Sequence, residues 1–77
     1  MDELSHPCDI LTAQGKVLDG ICQLRQKPLG HRTTYSYENS YEAQMAYQMW
    51  QELGQDFTIY PLQQIGEGEY LFTVANH

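Results

Sequence analysis

The stretch from Asn39 to Gly54, NSYEAQMAYQMWQELG, decides the fold of this 77-residue chain. Asn39 or Ser40 can cap a helix, and Glu42 follows Asn39 by three residues, as in a capping box. Most of the residues that follow favour helices, and Gly54 is typical of the position just after a helix end. The stretch therefore predicts a helix over about residues 40–53.

This helix is amphipathic. At 100° per residue its apolar face comprises Met45, Ala46, Met49, Trp50 and Leu53. Its opposite face comprises Gln44, Tyr47, Gln48 and Gln51. An apolar face of this width needs a sheet or a second helix to cover it. The strand residues expected to share its core are Phe57, Ile59, Phe72 and Val74.

Strand patterns precede and follow the helix in the sequence. His31–Glu38 alternates and is rich in β-branched and aromatic residues, as is Glu69–Ala75. Asp56–Leu62 contains Phe-Thr-Ile-Tyr and is stopped, or confined to a sheet edge, by Pro61. The glycine-containing stretch 63–68 predicts a connection between the last two strands.

Residues 9–27 fit two structures. Apolar residues at helical spacing are Ile10, Ala13, Val17, Ile21 and Leu24. Gly15 and Gly20 would each cost such a helix about 1 kcal/mol relative to alanine. A hairpin of strands Asp9–Thr12 and Lys16–Arg25 instead uses Gly15 at a positive φ and Gly20 at a bulge or bend in the longer strand. We favour the hairpin.

These elements predict an α+β fold as a single small domain over residues 1–77, with residues 1–8 as an irregular lead-in. The order β-β-β-α-β-β places one amphipathic helix on one face of a mostly antiparallel sheet of about four or five strands. A chain this short supports a core only one layer thick. The other sheet face, with Tyr60 and Leu71, then faces water, a partner or a second copy.

The net charge of −6 is unevenly distributed. Residues 1–32 hold four bases and four acids, whereas residues 33–77 hold six acids and no lysine or arginine. Direct binding to nucleic acid is disfavoured, because phosphate neutralisation needs clustered bases. The acidic half would instead attract a basic protein surface. The alternative is that the charge only keeps a small protein soluble.

The cysteine content and the first residues bear on the compartment. Residues 1–7 lack the basic and apolar regions of a signal peptide, and no apolar run reaches the roughly 18 residues of a membrane span. We therefore expect a cytoplasmic protein without membrane partners, in which Cys8 and Cys22 are buried thiols. A Cys8–Cys22 disulfide remains geometrically possible if residues 9–21 form a hairpin.

Three kinds of chemistry are poorly supported. No nucleophile motif accompanies the scattered histidines, so we expect no enzyme and no cofactor. The possible zinc ligands His6, Cys8, Cys22 and His31 lack finger or knuckle spacing, so we expect no metal. The carboxylates in Gly66–Glu69 would repel a phosphate.

Tyrosines and acids interleave through residues 35–70. Tyrosine is enriched at protein interfaces, and carboxylates beside it suit lysine or arginine from a partner. Tyr47 is the sharpest case because it lies about 160° around the helix from Met49, among glutamines. The predicted partner-binding residues are Tyr35, Tyr37, Glu38, Glu42, Tyr47, Gln48, Gln51, Glu52, Glu67 and Glu69.

In small size, acidity and helix-on-sheet build, the chain resembles the small inhibitors that phages and mobile elements direct against host defence complexes, including anti-CRISPR proteins. The resemblance implies steric and electrostatic blockade, without turnover, of a basic nucleic-acid-binding surface on a partner complex. Two other hypotheses stay open. One is a structural or regulatory domain of a bacterial cytosolic protein that self-associates, as a homodimer, through the uncovered sheet face or an edge strand. The other is a small zinc- or thiol-dependent regulator that uses Cys8 and Cys22.

Overall fold

The computed structural model describes residues 8–76. Its elements are β1 (Asp9–Leu11), β2 (Val17–Asp19), α1 (Gly20–Arg25), β3 (Arg32–Tyr37), α2 (Ser40–Leu53), β4 (Thr58–Ile59), β5 (Gln63–Gly66) and β6 (Glu69–Ala75). The α+β class is confirmed: one main helix packs on a sheet whose strands pair antiparallel. The irregular lead-in predicted for residues 1–8 lies outside the described residues, apart from Cys8.

The strands form two sheets. β1 and β2 make a separate two-stranded sheet, while β6 is the centre of a second sheet and pairs with β3, β4 and β5. β3 and β5 both pair with residues 70 and 71 of β6, so β5 shares the side of β6 that β4 occupies. β3 is therefore the opposite edge of this sheet.

The order of elements differs from the predicted one in two places. The strand expected over Lys16–Arg25 ends at Asp19, and α1 replaces its second half. Residues 63–66, expected to be a connection, form β5. The helical spacing of Ile21 and Leu24 was therefore informative locally, because both are buried on α1.

Glycines explain why the chain turns where it does. Gly15 has a φ of 79° in the β1–β2 loop, as the hairpin prediction requires. The bulge predicted at Gly20 is wrong, because Gly20 is the first residue of α1. A Cβ atom there would collide with the side chain of Ile10 and lie 3.4 Å from the hydroxyl oxygen of Tyr35. Gly20 thus lets α1 approach β1 closely.

α2 has the predicted bounds and the predicted cap. The side-chain oxygen of Asn39 accepts hydrogen bonds from the backbone N–H groups of Tyr41, at 2.8 Å, and Glu42, at 3.3 Å. Gly54 ends the helix with a φ of −108°, so glycine is not required at this position by a left-handed backbone conformation. A Cβ atom at Gly54 would lie 2.8 Å from Cε3 of Trp50, so close packing selects glycine there.

The core lies between α2, the inner face of the β3–β6 sheet and the β1–β2–α1 segment. The largest side chains buried in it are Trp50, Tyr37, Phe72, Ile10, Ile21 and Val74. Trp50 packs edge-on against Phe57, with ring centroids 5.6 Å apart. The predicted core members Met45, Leu53 and Ile59 are only partly buried and lie at its margin.

Cys8 and Cys22 form a disulfide, so the expectation of two thiols is wrong. The β1–β2 hairpin returns the chain to its starting point, and α1 then carries Cys22 to within 5.5 Å of Cys8, measured between Cα atoms. The bond therefore closes the hairpin and the start of α1 into one loop.

Candidate protein-binding cleft

A cleft of about 930 Å³ opens where three segments of the chain meet. These are the β1–β2 loop, the end of β3 and the β5–β6 turn. The lining residues are Ala13, Gln14, Ser36, Tyr37, Glu38, Glu67, Gly68 and Glu69. We call this site the acidic cleft.

The β5–β6 turn brings two carboxylates to the acidic cleft. Gly68 has a φ of 66° and so adopts the left-handed conformation that closes the turn. Glu67 and Glu69 flank it. A Cβ atom on Gly68 would lie 3.8 Å from the carbonyl oxygen of Glu38, so this turn rests against the end of β3. Glu38 and Glu67, which are 29 residues apart in sequence, therefore border one cavity.

The acidic cleft has a one-sided charge. Its lining carries three carboxylates and no lysine or arginine, although Lys16 stands two residues beyond Gln14 in the same loop. Within residues 8–76 none of the three carboxylates forms an ion pair; the pair found there joins Arg25 and Asp56 at 3.1 Å. The negative charge of the acidic cleft is thus uncompensated by its own walls.

Tyr37 anchors the site to the core. Its side chain is only 2% exposed, and its hydroxyl donates a hydrogen bond to the backbone carbonyl of Leu11. Burial, the neighbouring Tyr35 and the negative charge of Glu42 raise the pKa of Tyr37, in that order of importance. The phenol therefore stays protonated and holds β3 to β1.

Glu42 adds a fourth acid near the site. Its Oε2 atom lies 3.4 Å from the position that a Cβ atom would take on Gly15. The carboxylate thus sits beside the β1–β2 loop, and its negative charge helps to raise the pKa of Tyr37. The first turn of α2 therefore extends the negative field around the acidic cleft.

Apart from Glu42, which lies beside the acidic cleft, the predicted partner-binding residues fall into three groups. Four of them line the acidic cleft: Tyr37, Glu38, Glu67 and Glu69. Gln48, Gln51 and Glu52 are exposed on α2 and outside the cleft lining. Tyr35 and Tyr47 pack in the core's aromatic cluster, with their ring centroids 5.6 Å and 5.4 Å from that of Phe72. Whether any of them contacts a partner stays a prediction.

The expected exposure is wrong for Tyr37, which is buried, and for Tyr47, which is half-buried instead of standing free among glutamines. The buried stripe of α2 runs through Ala43, Ala46 and Trp50, and Tyr47 flanks it. Two small alanines let the helix approach the sheet, and the ring of Tyr47 then reaches the edge of Phe72. The spacing of positions 43, 46, 47 and 50 is the sequence signal that identifies this wider face.

Sequence reasoning missed the part of the cleft made by Ala13, Gln14 and Gly68. The sequence marks Gly15 and Gly68 as turn residues, but it does not show that the two turns lie at the same end of the molecule. That proximity arises because β1 packs on α2 while β6 pairs with β3.

The outer face of the β3–β6 sheet carries Tyr60 and Leu71, as predicted. It also carries hydroxyl groups: the Oγ1 atoms of Thr34 and Thr73 lie 2.8 Å apart. The guanidinium carbon of Arg32 lies 5.5 Å from the ring centroid of Tyr60, which is 37% exposed. No helix among the described residues covers this face, and it is more polar than apolar.

The zinc hypothesis receives little support from the geometry. Ligand atoms of Cys8, Asp19 and Cys22 lie within 4.8 Å of one another, and His31 is not part of that group. His6 lies outside the described residues. Zinc prefers thiolate sulfur, and the two sulfurs are joined to each other, so a metal would require the reduced pair.

Comparisons with protein-family models, with curated proteins and with solved structures returned no match to this chain. Within residues 8–76, neither helix has the length and apolar character needed to cross a membrane.

Proposed function

We propose that this chain is a non-enzymatic, acidic protein-binding module whose acidic cleft receives a basic segment of a partner protein. The observation that carries the proposal is the set of carboxylates on Glu38, Glu67 and Glu69, which border one cavity and lack an ion-pair partner among residues 8–76. A concave site of one charge sign favours an occupant of the opposite sign.

Arginine is the side chain that best fits this site. Its planar guanidinium can donate two parallel hydrogen bonds to one carboxylate, and three carboxylates around a cavity allow more than one such contact. Partial enclosure by the β1–β2 loop reduces the screening that weakens ion pairs on an open surface. The negative field of residues 33–77 would speed the encounter with a basic surface.

The partner surface that we propose is one that otherwise holds nucleic acid. Carboxylates of the acidic cleft would then take positions that phosphates occupy, and binding would block the surface sterically and electrostatically without turnover. This is the mode of action implied by the resemblance to phage-encoded and anti-CRISPR-like inhibitors. Under this proposal the chain acts in the cytoplasm, binds no nucleic acid directly and needs no cofactor.

The test uses a defined probe, a short arginine-rich peptide, and measures its binding by NMR titration at low salt. We expect chemical-shift changes to centre on the amides of Gln14, Glu38 and Gly68. The variant Glu67→Gln/Glu69→Gln should weaken binding on the order of tenfold, since each charge-assisted contact contributes about 1 kcal/mol or less at a partly exposed site.

The matched control is Glu52→Gln compared with Glu67→Gln. Both remove one negative charge, but Glu52 is exposed on α2, away from the acidic cleft. If Glu52→Gln weakens binding as much as Glu67→Gln does, the attraction is a general effect of net charge and the cleft proposal fails. Chemical-shift changes confined to Gln48 and Gln51 would place the interface on the helix face instead.

A competition experiment tests the blockade. The chain should displace a single-stranded oligonucleotide from the same arginine-rich peptide, and the Glu67→Gln/Glu69→Gln variant should displace it less well. A peptide that binds oligonucleotide and chain simultaneously would contradict the blockade but not the cleft.

A further inference from the structure

The pairing of β3 with β6 determines which backbone groups of β3 face its open edge. The backbone N–H of Tyr60 donates to the carbonyl oxygen of Thr73 at 2.8 Å, so the backbone of Thr73 faces β4. In an antiparallel ladder the N–H and C=O of one residue point to the same side. Thr73 therefore makes no backbone hydrogen bond to Thr34, its register partner on β3.

The other end of the ladder gives the same alternation. The backbone N–H of Asn76 donates to the carbonyl oxygen of His31 at 2.8 Å, so the carbonyl of His31 faces β6, although its N–H donates to Pro28 and the carbonyl of Asn76 accepts from Gly30. Counting along β3 from either end, the backbone groups of Arg32, Thr34 and Ser36 all point away from β6.

This edge is open within residues 8–76. None of the hydrogen bonds made outside the β3–β6 ladder uses a backbone group of Arg32, Thr34 or Ser36, and all three residues are exposed. Three N–H donors and three carbonyl acceptors thus form a regular row. β3 has no proline or lysine to discourage pairing, which are devices that edge strands commonly use.

We propose that the edge of β3 pairs antiparallel with the same edge of a second copy of this chain, about a two-fold axis at Thr34. In this register Arg32 stands opposite Ser36 of the second copy, and Thr34 stands opposite its own equivalent. All three outward-facing residues of each copy then form hydrogen-bonded pairs, which gives six hydrogen bonds across the interface because each such pair exchanges two.

Charge selects the second copy as the occupant. Arg32 stands near one end of the β3 segment, and Glu38 follows its other end. Antiparallel pairing places Arg32 diagonally across from Glu38 of the second copy, and the two-fold axis repeats this arrangement. The exposed side chain of Arg32, whose guanidinium lies over the ring of Tyr60 in the single chain, would turn from that ring to reach Glu38. Diagonal neighbours across a strand pair are within reach of long side chains. The edge is therefore complementary to itself in hydrogen bonding and in charge.

The dimer joins the two β3–β6 sheets into one continuous sheet. A two-fold axis perpendicular to the sheet keeps both α2 helices on one face and both outer faces, with their hydroxyl groups, on the other. The proposed interface shares Ser36 and Glu38 with the lining of the acidic cleft. The two proposals can nevertheless fail separately, because the proposed function is tested at Glu67 and Glu69, which are outside β3, and the dimer is tested at Thr34.

The first experiment measures oligomeric state by sedimentation equilibrium from micromolar to millimolar concentration. Thr34→Pro removes the central N–H donor, which the monomer does not use, and should weaken association on the order of thirtyfold or more. Thr34→Val removes the same hydroxyl but keeps the N–H and the preference for strand, so it should associate as the wild type does.

A charge exchange keeps the test valid even if Thr34→Pro fails to fold. Arg32→Glu places two acids on each diagonal and should weaken association about fivefold or more, as should Glu38→Arg. The double variant Arg32→Glu/Glu38→Arg restores opposite charges only across the proposed interface, and should recover wild-type association.

Amide hydrogen exchange gives a residue-level readout. In the dimer the amides of Arg32, Thr34 and Ser36 should become protected as concentration rises, whereas those of Thr33 and Tyr35 are protected at every concentration. Unprotected Arg32, Thr34 and Ser36 amides at millimolar concentration would overturn the proposal. Protection of these amides in a dilute monomer would also overturn it, because another segment of the chain would then cover the edge. A dimer that Thr34→Pro leaves intact would overturn it as well.

Discussion

The side-chain amide of Asn76 donates a hydrogen bond of 3.0 Å to the backbone carbonyl of Leu24, 52 residues earlier in the chain. The same amide group donates to the carbonyl of Lys27 at 2.9 Å. Asn76 is only 6% exposed, and its own backbone pairs with Gly30 and His31. One residue after β6 thus donates to the carbonyl of Leu24, which also accepts from the backbone N–H of Lys27, and to the carbonyl of Lys27 just after α1.

Replacing Asn76 by alanine should lower the free energy of unfolding by about 2 kcal/mol, because a buried side chain loses its hydrogen bonds to the carbonyls of Leu24 and Lys27. The measurement is urea denaturation followed by tryptophan fluorescence, since Trp50 is fully buried in the core. Asn39→Ala is the control: it removes an exposed helix cap and should cost about 1 kcal/mol. A loss at Asn76 no greater than the loss at Asn39 would show that this connection contributes little.

Stability should fall at alkaline pH because of two tyrosines. Burial raises the pKa of Tyr35 to about 12, and the pKa of Tyr37 is raised further, first by burial. An unfolded tyrosine titrates near pH 10. The stability that depends on the raised pKa values is therefore complete below about pH 10, and it is lost as pH rises towards 12, because the unfolded chain releases protons that the folded chain keeps.

Urea denaturation at a series of alkaline pH values checks this. Tyr35→Phe removes one of the two titrations, so its free energy of unfolding should fall less steeply with pH than that of Tyr41→Phe, which removes a tyrosine that is 68% exposed. Equal slopes for the two variants would contradict the assignment to Tyr35.

Removing the disulfide should destabilise the chain without changing its fold. The bond joins residues 14 apart, and closing a loop of this length contributes about 3 kcal/mol by restricting the unfolded chain. The double variant Cys8→Ser/Cys22→Ser should lose roughly this amount in urea denaturation. A reducing agent should destabilise the wild type to the same degree and leave the double variant unchanged. A wild type insensitive to reductant would mean that the bond contributes nothing.

This result bears on the proposed cytoplasmic location. Disulfides are rare in the reducing cytosol, so a chain that acts there must keep its fold with Cys8 and Cys22 as thiols. Loss of the folded state on reduction would therefore contradict action in the cytoplasm. It would not contradict the proposal that the acidic cleft binds a basic segment.

α2 shows how far sequence reasoning reaches. Its cap at Asn39, its end at Gly54 and its buried Trp50 all follow from local chemistry, and the structure has them in place. The same reasoning placed Tyr47 wrongly, because the width of a buried helix face depends on how closely the helix approaches the sheet. That distance is fixed by the small side chains of Ala43 and Ala46 together with Phe72, which comes 25 residues after Tyr47.

The segment around Gly20 shows why the sequence did not predict α1. A strand ending in a bulge and a strand followed by a short helix have nearly the same local preferences. The choice depends on Ile10 and Tyr35, whose side chains occupy the space that a Cβ atom on Gly20 would need. Contacts of this kind join distant parts of the chain, so no window of sequence contains them.

The sequence by itself determined the α+β class, the main helix and the confinement of unbalanced negative charge to residues 33–77, because each depends on residue type and local spacing. The tertiary structure decided which acids share a cavity, which tyrosines are buried and which edge of the sheet is left open by the rest of residues 8–76. These properties arise from strand register and from packing between segments tens of residues apart. The physical reason is that side-chain periodicity assigns a residue to a face, whereas only the folded chain determines what that face meets.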